Sequence, residues 1–157
     1  MVNRALMMLF LLCSFCRIGY ATELMSEEAI NYYNQAVKAQ KMRSYYQAQT
    51  GYHKAIIVDQ DTKYKKFIFN NLGVIHAESG DVAKAEVAFR EALKLDPDYK
   101  TAGSNLALLY LKVAIAYKDK GQTKKALENF EKAFSYYPEG AFMIEEEKEA
   151  QAGSSGN

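Results

Sequence analysis

GDVAKAEVAFREALKLDP, residues Gly80–Pro97, returns in outline as GQTKKALENFEKAFSYYP, residues Gly121–Pro138. Gly80, Ala85, Phe89, Ala92 and Pro97 recur as Gly121, Ala126, Phe130, Ala133 and Pro138, each 41 residues later. Glycine takes the left-handed conformation that closes a helix, and Asp81 is suited to cap the helix that follows. On that helix, predicted from about Val82 to Lys94, Ala85, Phe89 and Ala92 share a stripe. Two small residues there admit a neighbouring helix while the phenyl ring fills the gap, and Pro97 prevents continuation. Upstream, Phe69, Leu72, Gly73 and His76 mark one face of a partner helix ending near Ser79. Such a helical hairpin cannot bury its own apolar faces alone, and stacking copies solves that problem.

These residues resemble the tetratricopeptide repeat family. Phe69 stands where that family prefers tryptophan, Leu72-Gly73 matches its Leu-Gly pair, and His76 replaces the usual tyrosine. Gly80, Ala85, Phe89, Ala92 and Pro97 fill the remaining signature places, so that one unit of about 34 residues spans Lys66 to Tyr99. The resemblance implies an all-α fold, a right-handed solenoid of helical hairpins.

The other copies bend the pattern. The last keeps Tyr117, Gly121, Ala126, Phe130, Ala133 and Pro138, with Val113-Ala114 for the Leu-Gly pair. Leu106-Ala107 and Tyr110 fit the same signature one heptad earlier, at the ordinary period of about 34. Seven residues return a helix to within about 20° of the same face. The spacing therefore predicts an elongated helix over 101–118, two turns longer than its counterparts and protruding beyond the stack. The first copy is divergent: Ala48, Tyr52 and Ala55 precede Ala85, Phe89 and Ala92 by 37 residues, Tyr32 and Ala36 take packing places, and Arg43 and Gln60 replace glycine and proline. The expected organisation is a signal peptide over 1–21, a lead-in over 22–28 and three repeats at about 29–62, 66–99 and 101–140. Residues 141–157 complete it: Ala141–Ile144 and Glu145–Gln151 read as a capping helix on the last hairpin, followed by a disordered Gly-Ser tail.

The first 21 residues have their own composition. Arg4 precedes an apolar run from Ala5 to Leu12, extended to Cys16, and Gly19-Tyr20-Ala21 offers small residues for cleavage before Thr22. The run is shorter than the roughly 20 residues a membrane span needs. Cleavage would remove both cysteines, leaving no disulfide framework and no thiol metal site in a mature chain that is periplasmic or secreted. Losing Arg4 and Arg17 takes 20 basic residues to 18 against 19 acidic ones, moving the formal charge from +1 to −1. A near-neutral chain has no electrostatic attraction for nucleic acid or anionic lipid.

The sequence holds no constellation for catalysis. His53 and His76 lack partners at helical metal spacing, and neither a nucleophile elbow nor a phosphate-cradling glycine loop is present. No cofactor and no metal site is expected. Lys63, Tyr64, Lys65 and Lys66 alternate cations with an aromatic as nucleic-acid contacts do, but read more simply as a charged inter-repeat loop. His76 reads as a packing residue, and Tyr32, Tyr52 and Tyr117 fall on packing places too.

Function is then a matter of surface. The resemblance implies that the first helix of each hairpin lines a concave groove for a partner peptide or helix. Carried onto this chain, its places are Tyr33 and Val37, then Asn70, Asn71 and Val74, then Ser104, Leu108 and Leu111. The family's grip on chaperone C-terminal tails is not expected, since Tyr33 and Val37 stand where lysine and asparagine are needed. The expected function is a non-enzymatic, exported adaptor or assembly factor that binds another protein. Two alternatives stay open: a structural subunit self-associating through the long helix and the solenoid ends, or an intracellular chaperone-like repeat protein should the leader reading fail.

Overall fold

A computed structural model describes residues 26–59 and 64–138. Among the described residues are six α-helices and no strand: α1 (Glu27–Lys41), α2 (Tyr45–Val58), α3 (Lys65–Glu78), α4 (Val82–Leu95), α5 (Lys100–Asp119) and α6 (Thr123–Tyr136). They form two compact units, α1 and α2 in the first and α3 to α6 in the second. Consecutive helices pair as hairpins, and in the second unit α5 also packs on α4 and touches α3. The proposed leader over 1–21, Gln60 and the cap and tail over 141–157 lie outside the described residues.

Each turn uses one backbone device. Gly80 and Gly121 have φ of 80° and 69°, and Arg43, standing in the glycine place of the first hairpin, takes φ 58°. In all three the following residue reaches back five positions: Ser44 N–H to Ala39 at 2.9 Å, Asp81 to His76 at 2.9 Å, and Gln122 to Tyr117 at 2.9 Å. These bonds satisfy carbonyls that a helix end leaves orphaned. Asp81 caps α4 by accepting from the Lys84 N–H at 3.1 Å; the Lys84 ammonium beside it lowers its carboxyl pKa, and the backbone bond adds to this. Ser26 caps α1 in the same way, accepting from the Ala29 N–H at 3.1 Å. Helix α1 consequently begins at Glu27, inside the stretch read from sequence as lead-in.

The small residues set how closely helices approach. A Cβ on Gly73 would lie 2.6 Å from the Phe89 ring, so α3 and α4 cross where one chain has no side chain and the other has a phenyl group. Ala85, Phe89 and Ala92 are buried accordingly. In the first unit Tyr52 takes the phenyl place, fully buried beside Gly51, whose added Cβ would meet Ala36 at 2.9 Å. Its hydroxyl donates to Gln40 Oε1 at 2.6 Å, which satisfies the polar end of a buried ring. Ala85, Phe89, Leu106, Leu109, Tyr110 and Ala133 form one cluster joining α4, α5 and α6. Burial pushes the Tyr110 phenol up to about 12, with Glu86 adding to the rise and Arg90, which donates to its oxygen at 3.0 Å, opposing it.

Several sequence expectations are corrected by the structure. Phe69 and His76 are only half-buried, while Ile68 and Ile75 are fully buried, because α3 packs against both α4 and α5 and buries more than one stripe. In the last hairpin Phe134 is buried more deeply than Phe130, with their rings stacked at 6.3 Å. There Ala114 replaces the glycine against which Phe89 packs, so the paired helix offers no matching recess. Lys65 and Lys66, read as loop, are instead the first two residues of α3.

Two substitutions are expected to move stability in opposite directions. Gly73→Ala drives a methyl group into Phe89 and loses about 1–3 kcal/mol. Arg43→Gly relieves a left-handed residue and gains about 0.5–1 kcal/mol after the added chain entropy is deducted. Urea midpoints measure both; a Gly73→Ala protein as stable as the parent would refute the close approach of α3 and α4.

Candidate functional site

Helices α3 and α5 lie beside one another through a pair of amides. Asn105 Nδ2 donates to Asn70 Oδ1 at 2.9 Å, and Asn70 Nδ2 lies 3.5 Å from Asn71 Oδ1. Asn70 is 5% exposed, so its carbonyl oxygen and most of its surface face the protein. The expectation of a free groove amide at Asn70 is corrected here: α5 covers it and Asn105 takes its acceptor. Sequence reasoning passed over Asn105, although it repeats Asn71 at the period of about 34 residues.

The remaining expected groove residues divide by exposure. Ser104 and Leu108 are exposed, Leu108 at 51%, one helical turn apart on α5. Val74 and Leu111 are half-buried against the Phe89–Tyr110 cluster and serve packing as well as surface. Asn71 is half-buried. Tyr33 and Val37 belong to the first unit, both half-buried, with the Tyr33 ring tilted against Tyr52 at 5.8 Å. Within the second unit, then, the accessible part of the expected surface is a short strip on α5, bordered by Asn71 and Val74 on α3.

A second group of residues fixes the end of α4 to the start of α3. Lys66 Nζ pairs with Asp96 Oδ2 and lies 5.1 Å and 5.5 Å from the ring centroids of Phe67 and Tyr99, which pack edge to face. Lys66 is thus neutralised and held, which removes it from the cation-aromatic run that suggested nucleic acid. The Lys66 ammonium holds the Asp96 carboxyl below its ordinary range, and the Asp98 backbone N–H, donating at 3.1 Å, adds to this.

A cavity of about 720 Å³ opens where α5 begins, between the ends of α4 and α6. It follows from helix lengths. Helices α3 and α4 have 14 residues each and cover one another, whereas α5 has 20 against 14 in α6. Because the hairpin is joined at the far end of α5, α6 runs out before it reaches the first turn of α5. Gly103 lies in that first stretch, and a Cβ there would meet nothing within 4 Å. Leu93, Pro97, Tyr136 and Tyr137 give the walls an apolar character, with Arg90, Lys94 and Lys100 also lining the space. Among the described residues no group of three His, Cys, Asp or Glu side chains is arranged to hold a metal, and no helix is long and apolar enough to cross a membrane.

Hairpins closed by a left-handed residue, crossing through small side chains and stacked by shared apolar faces, define a helical-repeat protein. A tetratricopeptide repeat model matches residues 67–139. The chain is 29% identical over 112 residues to photosystem I assembly protein Ycf3 of Rippkaea orientalis and 30% identical over 112 residues to that of Cyanophora paradoxa. Each match covers 71% of this chain and 65% of the relative, so the chain spans slightly less than two thirds of their length. The Ycf3 of Synechocystis sp. is 30% identical over 116 residues, covering 74% of this chain and 67% of the relative. Among solved structures, the first TPR of Spaghetti (RPAP3) bound to the HSP90 peptide SRMEEVD aligns with a TM-score of 0.53 at 19% identity, over 81% of this chain and 95% of that one. The N-terminal domain of stress-induced protein-1 from C. elegans aligns at 0.54 and 19%, over 79% and 97%. At that identity the two structures share the fold with this chain. The chain belongs to the tetratricopeptide repeat family.

The Lys66–Asp96 pair makes stability depend on acid in a defined direction. Asp96 has a depressed pKa in the folded state, so its contribution is present above the unfolded value of about 3.9 and is lost as pH falls through the lower folded value. Asp96→Asn is expected to flatten that part of the stability profile between about pH 5 and pH 2, read by urea unfolding at a series of pH values. An unaltered acid limb would remove the pair from the account.

Proposed function

We propose that this chain is a non-enzymatic protein-interaction module, an adaptor or assembly factor that takes a peptide or helix of a partner protein on the face formed by α3 and α5. The observation that carries this reading is the half-exposed Leu108 beside exposed Ser104, on a helix whose position is fixed by the Asn105–Asn70 bond. An apolar side chain left accessible on a rigid element, next to amide and hydroxyl groups, suits a side-chain anchor with polar contacts to a peptide backbone. Similarity to proteins named for photosystem I assembly supports the assembly-factor form of the reading. Within the first unit, Tyr33 and Val37 on α1 are proposed by family resemblance as that unit's own groove places.

We further propose that the chain is exported, on the strength of Arg4, the apolar run that follows and Gly19-Tyr20-Ala21. N-terminal sequencing of the protein from its native cells is expected to begin at Thr22; recovery of a chain beginning at Met1 would refute export.

For the binding surface, Leu108→Asp combined with Ser104→Glu is the direct test. Both sites are exposed, so stability is expected to change by no more than about 0.5 kcal/mol. Capture of the partner by the full chain is expected to fall at least about tenfold, equivalent to roughly 1.4 kcal/mol. Undiminished capture by the folded double variant would rule this face out.

A further inference from the structure

We infer that the first unit carries an interaction surface of its own, a groove between α1 and α2 that takes an extended acidic segment of a partner protein with one apolar anchor side chain. The groove is lined by both helices of a single hairpin, and the inference does not rest on the reading of the α3–α5 face. Its floor follows from small residues. An added Cβ on Gly51 would meet Ala36 at 2.9 Å and the Tyr32 carbonyl oxygen at 3.2 Å, so α1 and α2 meet there without bulk. Over Ala36, Ala39 and Gly51 a space of about 460 Å³ remains, within the range of about 300–1,000 Å³ found for ligand sites.

The borders of this space are apolar at one place and cationic at two. Tyr46 is 83% exposed, more than any other large apolar side chain among the described residues, and Met42, which lines the same space, is 69% exposed. Such a pair left accessible beside a recess suits an apolar anchor. Lys54 Nζ lies 5.4 Å from the centroid of the Tyr32 ring, a contact that holds the ammonium in place without neutralising it. No carboxylate lines the groove, and neither Lys38 nor Lys54 makes an ion pair among the described residues. The acidic residues described in this unit stand elsewhere: Glu27 and Glu28 open α1, about 15 Å along the helix from Lys38, and Asp59 is buried. A helix dipole favours cations in a last turn, which accounts for Lys38 and Lys41 but not for Arg43, beyond α1, or for Lys54, on α2. Lys38 lies about 9 Å along α1 from Tyr32, the residue beneath Lys54, and that interval spans about three extended residues. Two carboxylates so spaced would each gain a charge-assisted hydrogen bond and fix the register of the segment. A recess with a floor suits an inserted chain, whereas a flat lipid surface could not reach Ala36, which is 1% exposed.

The test screens the full chain against a displayed library of random seven-residue peptides, flanked at both ends so that no free terminal carboxylate is offered. Enriched peptides are expected to carry two or more Asp or Glu with one Phe, Trp, Leu or Met. A synthetic, end-blocked peptide of the enriched sequence then serves as the probe. Lys38→Glu with Lys54→Glu is expected to raise its Kd at least about tenfold, and Tyr46→Ser at least about threefold. Lys120→Glu with Lys124→Glu, the same change of charge at exposed sites outside the groove, is expected to leave it unaltered, with circular dichroism reporting the fold of each variant. No enrichment, enriched peptides without acidic residues, or a Kd unmoved by reversing Lys38 and Lys54 would overturn the inference. Binding to phosphatidylcholine–phosphatidylglycerol vesicles, lost on that reversal while peptides fail to enrich, would overturn it in favour of a lipid surface. A dimer in sedimentation equilibrium that the same reversal dissociates would overturn it in favour of a second copy.

Discussion

The ring of Phe89 occupies space that exists only because Gly73 has no side chain, and the second unit is organised around that contact. A methyl group at position 73 would sit 2.6 Å from the ring, so the separation of α3 and α4 is set by this pair. With the two helices that close, Ala85 and Ala92 meet the partner without a gap, and Phe89 is held in a position where Leu106, Leu109 and Tyr110 of α5 can join it. Close-packed interiors respond to a change of a single methylene. The placement of α5, and with it of Leu108 and Ser104, is therefore downstream of one glycine.

The turns were legible because left-handed backbone leaves a chemical trace. Gly80 and Gly121 mark it by lacking a Cβ, and the hairpin register between them follows. Arg43 was legible only by counting back through the repeats, since nothing about arginine announces φ of 58°. Depth within a helix was less legible. The spacing of Phe69, Leu72, Gly73 and His76 picks out one stripe, yet α3 touches two neighbours, and Ile68 and Ile75 became the fully buried residues. A helix with apolar residues on more than one side gives no sequence signal for which of them lies deepest. Asn70 shows the same limit at the candidate surface: its place in the repeat was readable, but its burial depended on Asn105 arriving from another helix.

Unequal helices distinguish the last hairpin. A heptad inserted into α5 preserves its buried face, which is why Leu106, Tyr110 and Ala114 all remain inside. It does not preserve the end of the hairpin. The 20-residue α5 stands roughly 30 Å tall, while α6 spans about 21 Å. The mismatch is therefore about 9 Å, which is where the cavity over Gly103 opens. An insertion that is neutral for the core thus creates new surface.

The amide pair between α3 and α5 bears on why that surface is well defined. Apolar contacts alone tolerate small slides of one helix along another, because dispersion is weakly directional. A buried amide is less forgiving, since losing its partner leaves a polar group unsatisfied at a cost of about 1–3 kcal/mol. The Asn105–Asn70 bond therefore penalises any shift that would separate them, and it does so one turn below Leu108. Replacing both amides with apolar residues of similar size would cost little in stability, because the buried Asn70 amide and its half-buried partner would go together. What such a replacement would forfeit is the fixed offset between α3 and α5, and a peptide surface assembled from two helices depends on that offset more than on the stability of either one.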